Sequence, residues 1–413
     1  MTMTDGVTLL RGKRIILGVT GSIAVYKAVD LASKLTQTGA LVDVIMTDAA
    51  QKFVTPLTFG AVTGRPVYTS MWHTDTGGGL PTHIAHVGLG EGAALYVIAP
   101  ATADALARIA HGFAGDLLAV TALAARCPLV IAPAMDAGMY AHPAVQANVR
   151  MLVERGALLI EPEEGRFASG LYGKGRFPET PALLGAIRLA MGRGGSLDGR
   201  RIVVTAGGTR EALDPVRYIT NRSSGKQGYA LAQAAIDAGA QVTLITSADL
   251  HPPFGAQVIR VGSARELLDA TLRETDSADA LIMAAAVADF RPSAAAEHKI
   301  KKGDGDGGLT IQLERNPDIL AAVAARRHRT GIPNILIGFA AESRDVVAYG
   351  QEKLARKGLD LLVANDISAA DAGFETETNR VILISRDAVE PLELMSKARV
   401  SEAVIERLAR LLT

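Results

Sequence analysis

Apolar and polar positions along this chain fall into blocks, and the blocks come in the same order twice. Residues 14–19, 41–46, 94–99 and 128–132 are near-continuous apolar runs, with a shorter one at 157–160. Between them, 23–37, 103–109, 115–125 and 143–155 carry apolar residues at helical spacing. Apolar strands alternating with helices predict a parallel sheet covered on both faces. The second half repeats this grammar, with strands expected at 201–205, 241–246, 280–284, 334–338, 360–363 and 380–384, and a closing amphipathic helix over 399–412. Both halves open alike. Arg14-Ile15-Ile16-Leu17-Gly18-Val19-Thr20-Gly21-Ser22 and Arg201-Ile202-Val203-Val204-Thr205-Ala206-Gly207-Gly208-Thr209 each run a strand into a small-residue turn. Such a turn can seat a phosphate on backbone N–H groups at a helix start. The fold class expected is α/β, with two Rossmann-like parallel-sheet domains.

Punctuation divides the pattern. A Gly-rich linker at 191–196 separates a domain over 1–190 from one over 197–413. A chain of 413 residues exceeds what one core usually serves, and its 48% apolar content suffices for two buried sheets. Residues 161–180 are rich in Gly, Pro and charge with neither period, which reads as a functional flap. Loops are also expected at 74–80 and 301–308. Charge adds an exclusion: 43 basic and 43 acidic residues cancel, so neither a nucleic-acid nor a membrane partner is expected. The single cysteine, Cys127, excludes an internal disulfide framework and suits a reducing cytoplasm. The first residues lack the apolar stretch of a signal peptide, and no charge-free run approaches a membrane span.

In the first half the glycines of Gly18-Val19-Thr20-Gly21-Ser22-Ile23-Ala24 are three apart, unlike the dinucleotide fingerprint, and suit a single phosphate. Together with Ala99-Pro100-Ala101-Thr102-Ala103-Asp104 and Ala132-Pro133-Ala134-Met135, this order of segments resembles the flavoprotein family of cysteine decarboxylases. The resemblance implies a flavodoxin-like domain and bound FMN. It puts Gly21 and Ser22 near the phosphate, and Thr47, Phe53 and Met135 near the rest of the cofactor. Ala101, Thr102, Ala103 and Asp104 would lie near the flavin ring. Ordinary core packing is an equal reading of Phe53. The family's catalytic histidine precedes the Ala-Pro-Ala-Thr-Ala-Asp strand in a His-[Ile/Val]-x-Leu segment. His83 and His86 both stand there, and only His86 has Leu three residues on, at Leu89. A near-neutral imidazole suits handling a carboxylate or a proton. Two positions depart from the family. Asp136 stands where its substrate-holding Asn is usual, and Ser169 where its proton-donating Cys is usual. Asp donates nothing when ionised, and Ser lacks a thiol's acidity.

In the second half Thr205-Ala206-Gly207-Gly208-Thr209-Arg210-Glu211 leads to Arg217-Tyr218-Ile219-Thr220-Asn221-Arg222-Ser223-Ser224-Gly225-Lys226, which is no P-loop. With Ala284-Ala285-Ala286-Val287-Ala288-Asp289-Phe290, Lys299-Ile300-Lys301-Lys302, Asn316-Pro317-Asp318-Ile319, Gly338-Phe339-Ala340-Ala341-Glu342 and Ala364-Asn365-Asp366, it resembles the phosphopantothenate–cysteine ligase family. The resemblance implies CTP as nucleotide and Asp289 as a Mg2+ ligand. Lys299, Lys353 and Lys357 would meet the triphosphate, although a Lys-rich run is often just a solvated loop. Asn221 would hold the reaction intermediate with Arg217 nearby. Ala285, Ala286 and Phe290 would line the nucleotide pocket, and Asn316, Pro317, Asp318, Ile319 and Phe339 fall within the matching blocks. Lys353 and Lys357 are four apart, so they share a helix face.

The two resemblances imply a bifunctional enzyme of coenzyme A synthesis. It would ligate 4′-phosphopantothenate to L-cysteine with CTP, then decarboxylate the product on FMN. They also imply trimeric flavin domains and dimeric ligase domains building a dodecamer. Two alternatives stay open: a ligase whose flavin domain is a non-catalytic scaffold, and a flavoprotein regulator without catalysis.

Overall fold

The computed structural model describes residues 8–72, 84–166, 170–301, 309–342, 345–366 and 376–413. His83, Ser169, the 74–80 loop and nearly all of the 301–308 loop lie outside them. The chain forms two compact units, Met1–Met191 and Gly192–Thr413.

In the first unit the elements run β1 (Arg14–Val19), α1 (Val25–Gln37), β2 (Leu41–Met46), α2 (Pro56–Thr63), β3 (Val67–Tyr68), α3 (Ala85–Gly92), β4 (Leu95–Ala101) and α4 (Ala103–His111). Then come α5 (Leu117–Ala124), β5 (Leu129–Pro133), α6 (Ala137–Ala141), α7 (Pro143–Glu154), β6 (Leu158–Leu159), β7 (Glu163–Arg166), β8 (Tyr172–Arg176) and α8 (Thr180–Gly192). The sheet is wholly parallel in the order β3-β2-β1-β4-β5-β6. That is a doubly wound order; the two-residue β3 extends the edge beyond β2, and the remaining strands β2-β1-β4-β5-β6 follow the 2-1-3-4-5 order of flavodoxin-like sheets. Its topological switch lies between β1 and β4. The 161–180 segment is not without strand structure: β7 and β8 pair as an antiparallel hairpin. Alternating Gly hides the strand period there, because glycine carries no side chain to mark a face. Helix α8 also runs on through Met191 and Gly192, the start of the expected linker.

In the second unit the order is β9 (Arg201–Ala206), β10 (Arg210–Ala212), β11 (Tyr218–Thr220), α9 (Lys226–Asp237), β12 (Gln241–Thr246), β13 (Gln257–Arg260), α10 (Ala264–Glu274), β14 (Ala280–Met283), β15 (Phe290–Pro292) and β16 (Leu313–Arg315). It continues with α11 (Ile319–Thr330), β17 (Ile335–Glu342), α12 (Val346–Lys357), β18 (Leu361–Asp366), β19 (Thr378–Asn379), β20 (Val381–Ile384), β21 (Val389–Pro391), β22 (Met395–Ser396) and α13 (Lys397–Leu411). The sheet order is β13-β12-β9-β14-β17-β18-β20-β21, parallel as far as β18 and antiparallel beyond it. The switch here lies between β9 and β14. Each sheet has its own core, with Ile16, Tyr96, Ile98 and Leu118 in the first and Val203, Leu281, Leu336 and Leu362 in the second.

Candidate active sites

Ligands of open α/β sheets bind beyond the carboxyl ends of the strands, at the switch. In the first unit that edge is held together by a hydroxyl the sequence reading passed over. Thr20 is 2% exposed; its Oγ1 donates to the Pro100 carbonyl (2.7 Å) and accepts from the Thr102 N–H (3.0 Å). It thereby pins the β1 turn to the β4 turn. Gly21 must be glycine, because a Cβ there would come within 2.4 Å of the Ala49 Cβ. Ser22 Oγ accepts from the Ala24 N–H (3.3 Å), and α1 begins only at Val25. Among the described residues the N–H groups of Gly21, Ser22 and Ile23 make no hydrogen bond, which leaves a nest of donors at the turn. Thr47 Oγ1 accepts from the Ala50 N–H (3.2 Å), shaping the β2 turn that carries Phe53. Phe53 is 49% exposed, so core packing does not account for it.

At the β4 turn Thr102 caps α4 by accepting from the Ala105 N–H (3.4 Å). Ala101 is fully buried, so only its backbone faces the edge, and Asp104 pairs with Arg108 on the surface (2.8 Å). His86 is the second residue of α3, half-buried, with no hydrogen bond among the described residues. A crossover helix runs opposite to its strands, so the start of α3 lies at the carboxyl edge. Arg14 fixes α3 by donating to the Gly88 carbonyl (3.1 Å). The same arginine, with Arg65, pairs with the fully buried Asp43.

The β7–β8 flap is tied to the β5 turn. Met135 N–H donates to the Gly175 carbonyl (3.1 Å). Glu161 binds Lys174 (2.7 Å) and accepts from the Tyr140 hydroxyl (3.1 Å). Burial, and then the charge of Glu161, push the Tyr140 hydroxyl up to about 12. Asp136 does local work: its Oδ1 caps α6, accepting from the Gly138 N–H at 2.9 Å.

In the second unit a cavity of about 790 Å³ opens at the corresponding edge. Asn221, Ala285, Ala286, Asp289 and Phe290 line it, as do Asn316, Pro317, Asp318, Ile319, Phe339, Lys353 and Lys357. Side-chain bonds stitch these distant segments together. Asn221 Nδ2 donates to the Val287 carbonyl (2.9 Å), and Asn316 Nδ2 to the Ala288 carbonyl (2.8 Å). Buried Thr209 accepts from the Ala288 N–H (3.0 Å), and Gly208 forms a parallel bridge with Ala286. Asp318 caps α11 and forms an ion pair with Lys357.

Two expected site residues lie outside the cavity. Arg217 is held by Asp214 (2.5 Å) and donates to the Ile300 carbonyl (2.7 Å). That partnership, with backbone N–H donors, keeps the buried Asp214 carboxyl well below the usual carboxylate range. Arg217 and Asn221 flank strand β11. Lys299 is exposed beside the Ile300 anchor.

Lys226 and Asn365, each inside a motif block quoted above, also line the large cavity, and motif reading missed Arg315, Asn379 and Lys397, which share it. Five cations against the carboxylates of Asp289 and Asp318 give its described lining a positive balance suited to a polyphosphate. Lys397 is 6% exposed, and burial followed by the charge of Lys226 lowers its pKa. Arg210 and Arg222 line a smaller cavity of about 240 Å³ that Asn221 also borders. Only the fold reveals Asn379, Lys397 and Arg210 as lining residues, since β19, β22 and the β10–β11 hairpin bring them in.

Two doubly wound domains, each with polar groups gathered at its switch, define a two-domain α/β protein with a candidate ligand site on each sheet. Residues 6–191 match the family described as Flavoprotein, and 197–412 match the DNA/pantothenate metabolism flavoprotein C-terminal domain. The chain is 45% identical to the coenzyme A biosynthesis bifunctional protein CoaBC of Bacillus subtilis (strain 168), over 98% of each chain. It is 45% identical to the protein of the same name from Mycobacterium tuberculosis (strain ATCC 25618 / H37Rv), over 97% of each. A crystal structure of the C-terminal domain of a CoaBC protein aligns with 52% of this chain and 97% of that one, at 36% identity and a TM-score of 0.44. The chain belongs to the CoaBC family of bifunctional enzymes of coenzyme A biosynthesis, with a flavoprotein decarboxylase half and a ligase half.

Proposed function

We propose that the second unit joins 4′-phosphopantothenate to L-cysteine at the expense of CTP, and that the first decarboxylates 4′-phosphopantothenoylcysteine to 4′-phosphopantetheine with FMN. The observation that carries the ligase half is the cavity itself, where Asn221, Asp289, Asn316, Lys353 and Lys357 meet from separate segments in a cation-rich space. A carboxylate oxygen of the acid attacks the α-phosphorus of CTP, and pyrophosphate leaves. The amine of cysteine then attacks the acyl carbon of the acyl-cytidylate, and CMP leaves. Lys353 and Lys357 offset phosphate charge, and Lys299 adds to it from the rim. Asn221 orients the intermediate, while Arg217 acts through the hairpin that it ties to Ile300. Ala285, Ala286, Pro317, Ile319, Phe290 and Phe339 shape the nucleotide pocket. Among the described residues no three His, Cys, Asp or Glu side chains cluster. Asp289 alone, completed by substrate phosphates, fits the way Mg2+ is held in nucleotide sites.

In the first unit the free N–H groups at the Gly21-Ser22 turn fit a phosphate. Thr47, Phe53, Met135 and the turn over Ala101, Thr102, Ala103 and Asp104 would hold the remainder of FMN. Bound FMN supplies two-electron oxidation of the cysteinyl thiol and returns those electrons after CO2 is lost. His86 moves a proton at the substrate carboxylate, and Ser169, at the sequence position of the family's proton-donating Cys, is the residue proposed for the closing protonation. Exposed Ile23 and Phe53 on these turns, with Tyr26 and Leu57 in the first turns of α1 and α2, support a partner subunit's covering this edge, as in the trimers expected of the flavin domain. Dimers of the ligase domain would complete a dodecamer. No helix among the described residues is long and apolar enough to cross a membrane, and Cys127 is half-buried with its thiol pKa raised by burial. Both features are compatible with a cytoplasmic enzyme.

A second reading has one observation behind it. Asp136 is engaged in capping α6, and this favours a flavin domain that binds without catalysing. Single-turnover CO2 release from phosphopantothenoylcysteine separates the two readings. Release supports the decarboxylase, and its absence from yellow protein supports the scaffold. For the ligase, labelled CTP should yield pyrophosphate and an acyl-cytidylate, with ATP reacting far less well. Equal use of ATP would remove the CTP assignment.

A further inference from the structure

Just beyond the second strand of the flap lies a charge cluster that neither the flavin residues nor the proton donors above use. Glu179 Oε1 accepts from the Arg176 guanidinium on β8 (2.7 Å) and from Lys27 Nζ in the first turn of α1 (2.7 Å). Lys27 Nζ also donates to the Phe177 carbonyl (3.4 Å). The Glu179 N–H donates to Glu163 Oε1 on β7 (3.1 Å). One residue therefore joins both flap strands to the helix that follows the Gly21-Ser22 turn. The Lys27 side chain is 13% exposed and that of Glu179 50%. The bond from Lys27 holds the Glu179 carboxyl below its usual range, so the carboxylate stays ionised.

The cluster also completes a span across the site. The Gly175 carbonyl is held by the Met135 N–H beyond β5, so residues 175–179 reach from the β5 turn to α1, which follows β1 on the other side of the switch. Buried Phe177 plants the middle of that span. The next helix has an anchor of its own, since Thr180 Oγ1 donates to Asp30 Oδ2 on α1 (2.5 Å). Replacing Glu179 therefore frees the flap while α8 stays docked.

We propose that Glu179 is a positioning residue for the decarboxylation: clamped by Lys27, it sets the flap at the flavin edge before the acyl-cysteine substrate arrives. The inference rests on the flavin-site reading above and adds to it a residue that acts through the hairpin and not on the reacting atoms. A two-stranded hairpin is marginal on its own. A flap that had to order at each binding event would lower affinity by its ordering entropy. A flap already set removes that penalty, so its loss falls on KM, whereas a group acting on the reacting atoms would lower kcat.

The test uses the full chain loaded with FMN. Trypsin cleavage after Lys174, followed by mass spectrometry without substrate, reads the opening of the flap. Glu179→Gln and Lys27→Gln should each speed that cleavage about fivefold, the most that a half-exposed ion pair supports. Each should raise KM for phosphopantothenoylcysteine by a similar factor, with kcat and the flavin spectrum kept. Lys27→Arg should keep the parent's cleavage rate and KM. The two side chains form one clamp, so the double variant Lys27→Gln/Glu179→Gln should do no worse than either single one. Ligation should be unchanged in every variant and reports an intact chain. Unchanged cleavage at Lys174, additive losses in the double variant, or a fall in kcat without a rise in KM overturns the proposal. Loss of FMN from both single variants also overturns it, because the cluster would then be a requirement of the fold. Absence of CO2 release from the parent protein would instead overturn the decarboxylase reading, and cleavage at Lys174 would still decide the clamp.

Discussion

Asn221 shows what one side chain does here. Its amide N–H holds the Val287 carbonyl, joining two segments 66 residues apart at the lip of both cavities. Asn221→Asp removes that donor and sets a carboxylate beside a phosphate-bearing intermediate. Like-charge contact of this kind costs several kcal/mol, so pyrophosphate release from labelled CTP should fall on the order of 100-fold. Unchanged release would take Asn221 out of the site. His86 and Lys299 give the complementary separation. His86→Asn should abolish CO2 release while the flavin spectrum and ligation persist, because the imidazole belongs to the first unit alone. Lys299→Gln should weaken ligation and spare decarboxylation. Lys299 is exposed on the rim, so its effect should shrink as salt is raised, and a salt-independent loss would argue against a charge role. Motif resemblance reached most cavity-lining residues. It missed Asn379 and Lys397, which only the β19–β22 pairing brings to the cavity, and it gave Asn365 no role of its own although that residue stands in a matching block.

Among elements, the flap has the clearest physical handle. Glu161, Tyr140 and Lys174 hold the β7–β8 hairpin against α6, and the Tyr140 hydroxyl is pushed from 10.0 up to about 12. A raised value in the folded state means that folding favours the protonated phenol. Its contribution is therefore complete below pH 10.0 and is lost as pH rises through about 12. Thermal melts between pH about 9 and about 11 should show the parent losing more stability than Tyr140→Phe. Equal losses would mean that folding does not raise the Tyr140 hydroxyl. The hairpin was read from sequence as structureless because Gly165, Gly173 and Gly175 interrupt any alternation.

For the whole molecule, the two units carry separate cores, and all residues proposed for FMN precede Met191. A fragment of residues 1–190 should purify yellow or take up FMN on refolding. Colourless protein after refolding with FMN would count against the flavin site. The exposed apolar side chains on the β1 and β2 turns predict that such a fragment self-associates, which sedimentation would show.

The chain's own pattern determined the strands and helices of both sheets, because a strand buried on both faces must be continuously apolar and a crossover helix must keep its period. It also determined where the tight turns after β1 and β9 fall, since Gly21 and Gly207 stand where neighbouring groups approach too closely for a side chain. Tertiary structure alone decided the rest. The β3 and β13 edges and the antiparallel β20–β21 extension depend on pairing partners rather than on local period. Arg217 was drawn to Asp214 and away from the cavity, and Lys397 was carried in by a two-residue strand pair. Which charges meet is set by where the sheet brings its loops, and a linear sequence does not contain those distances.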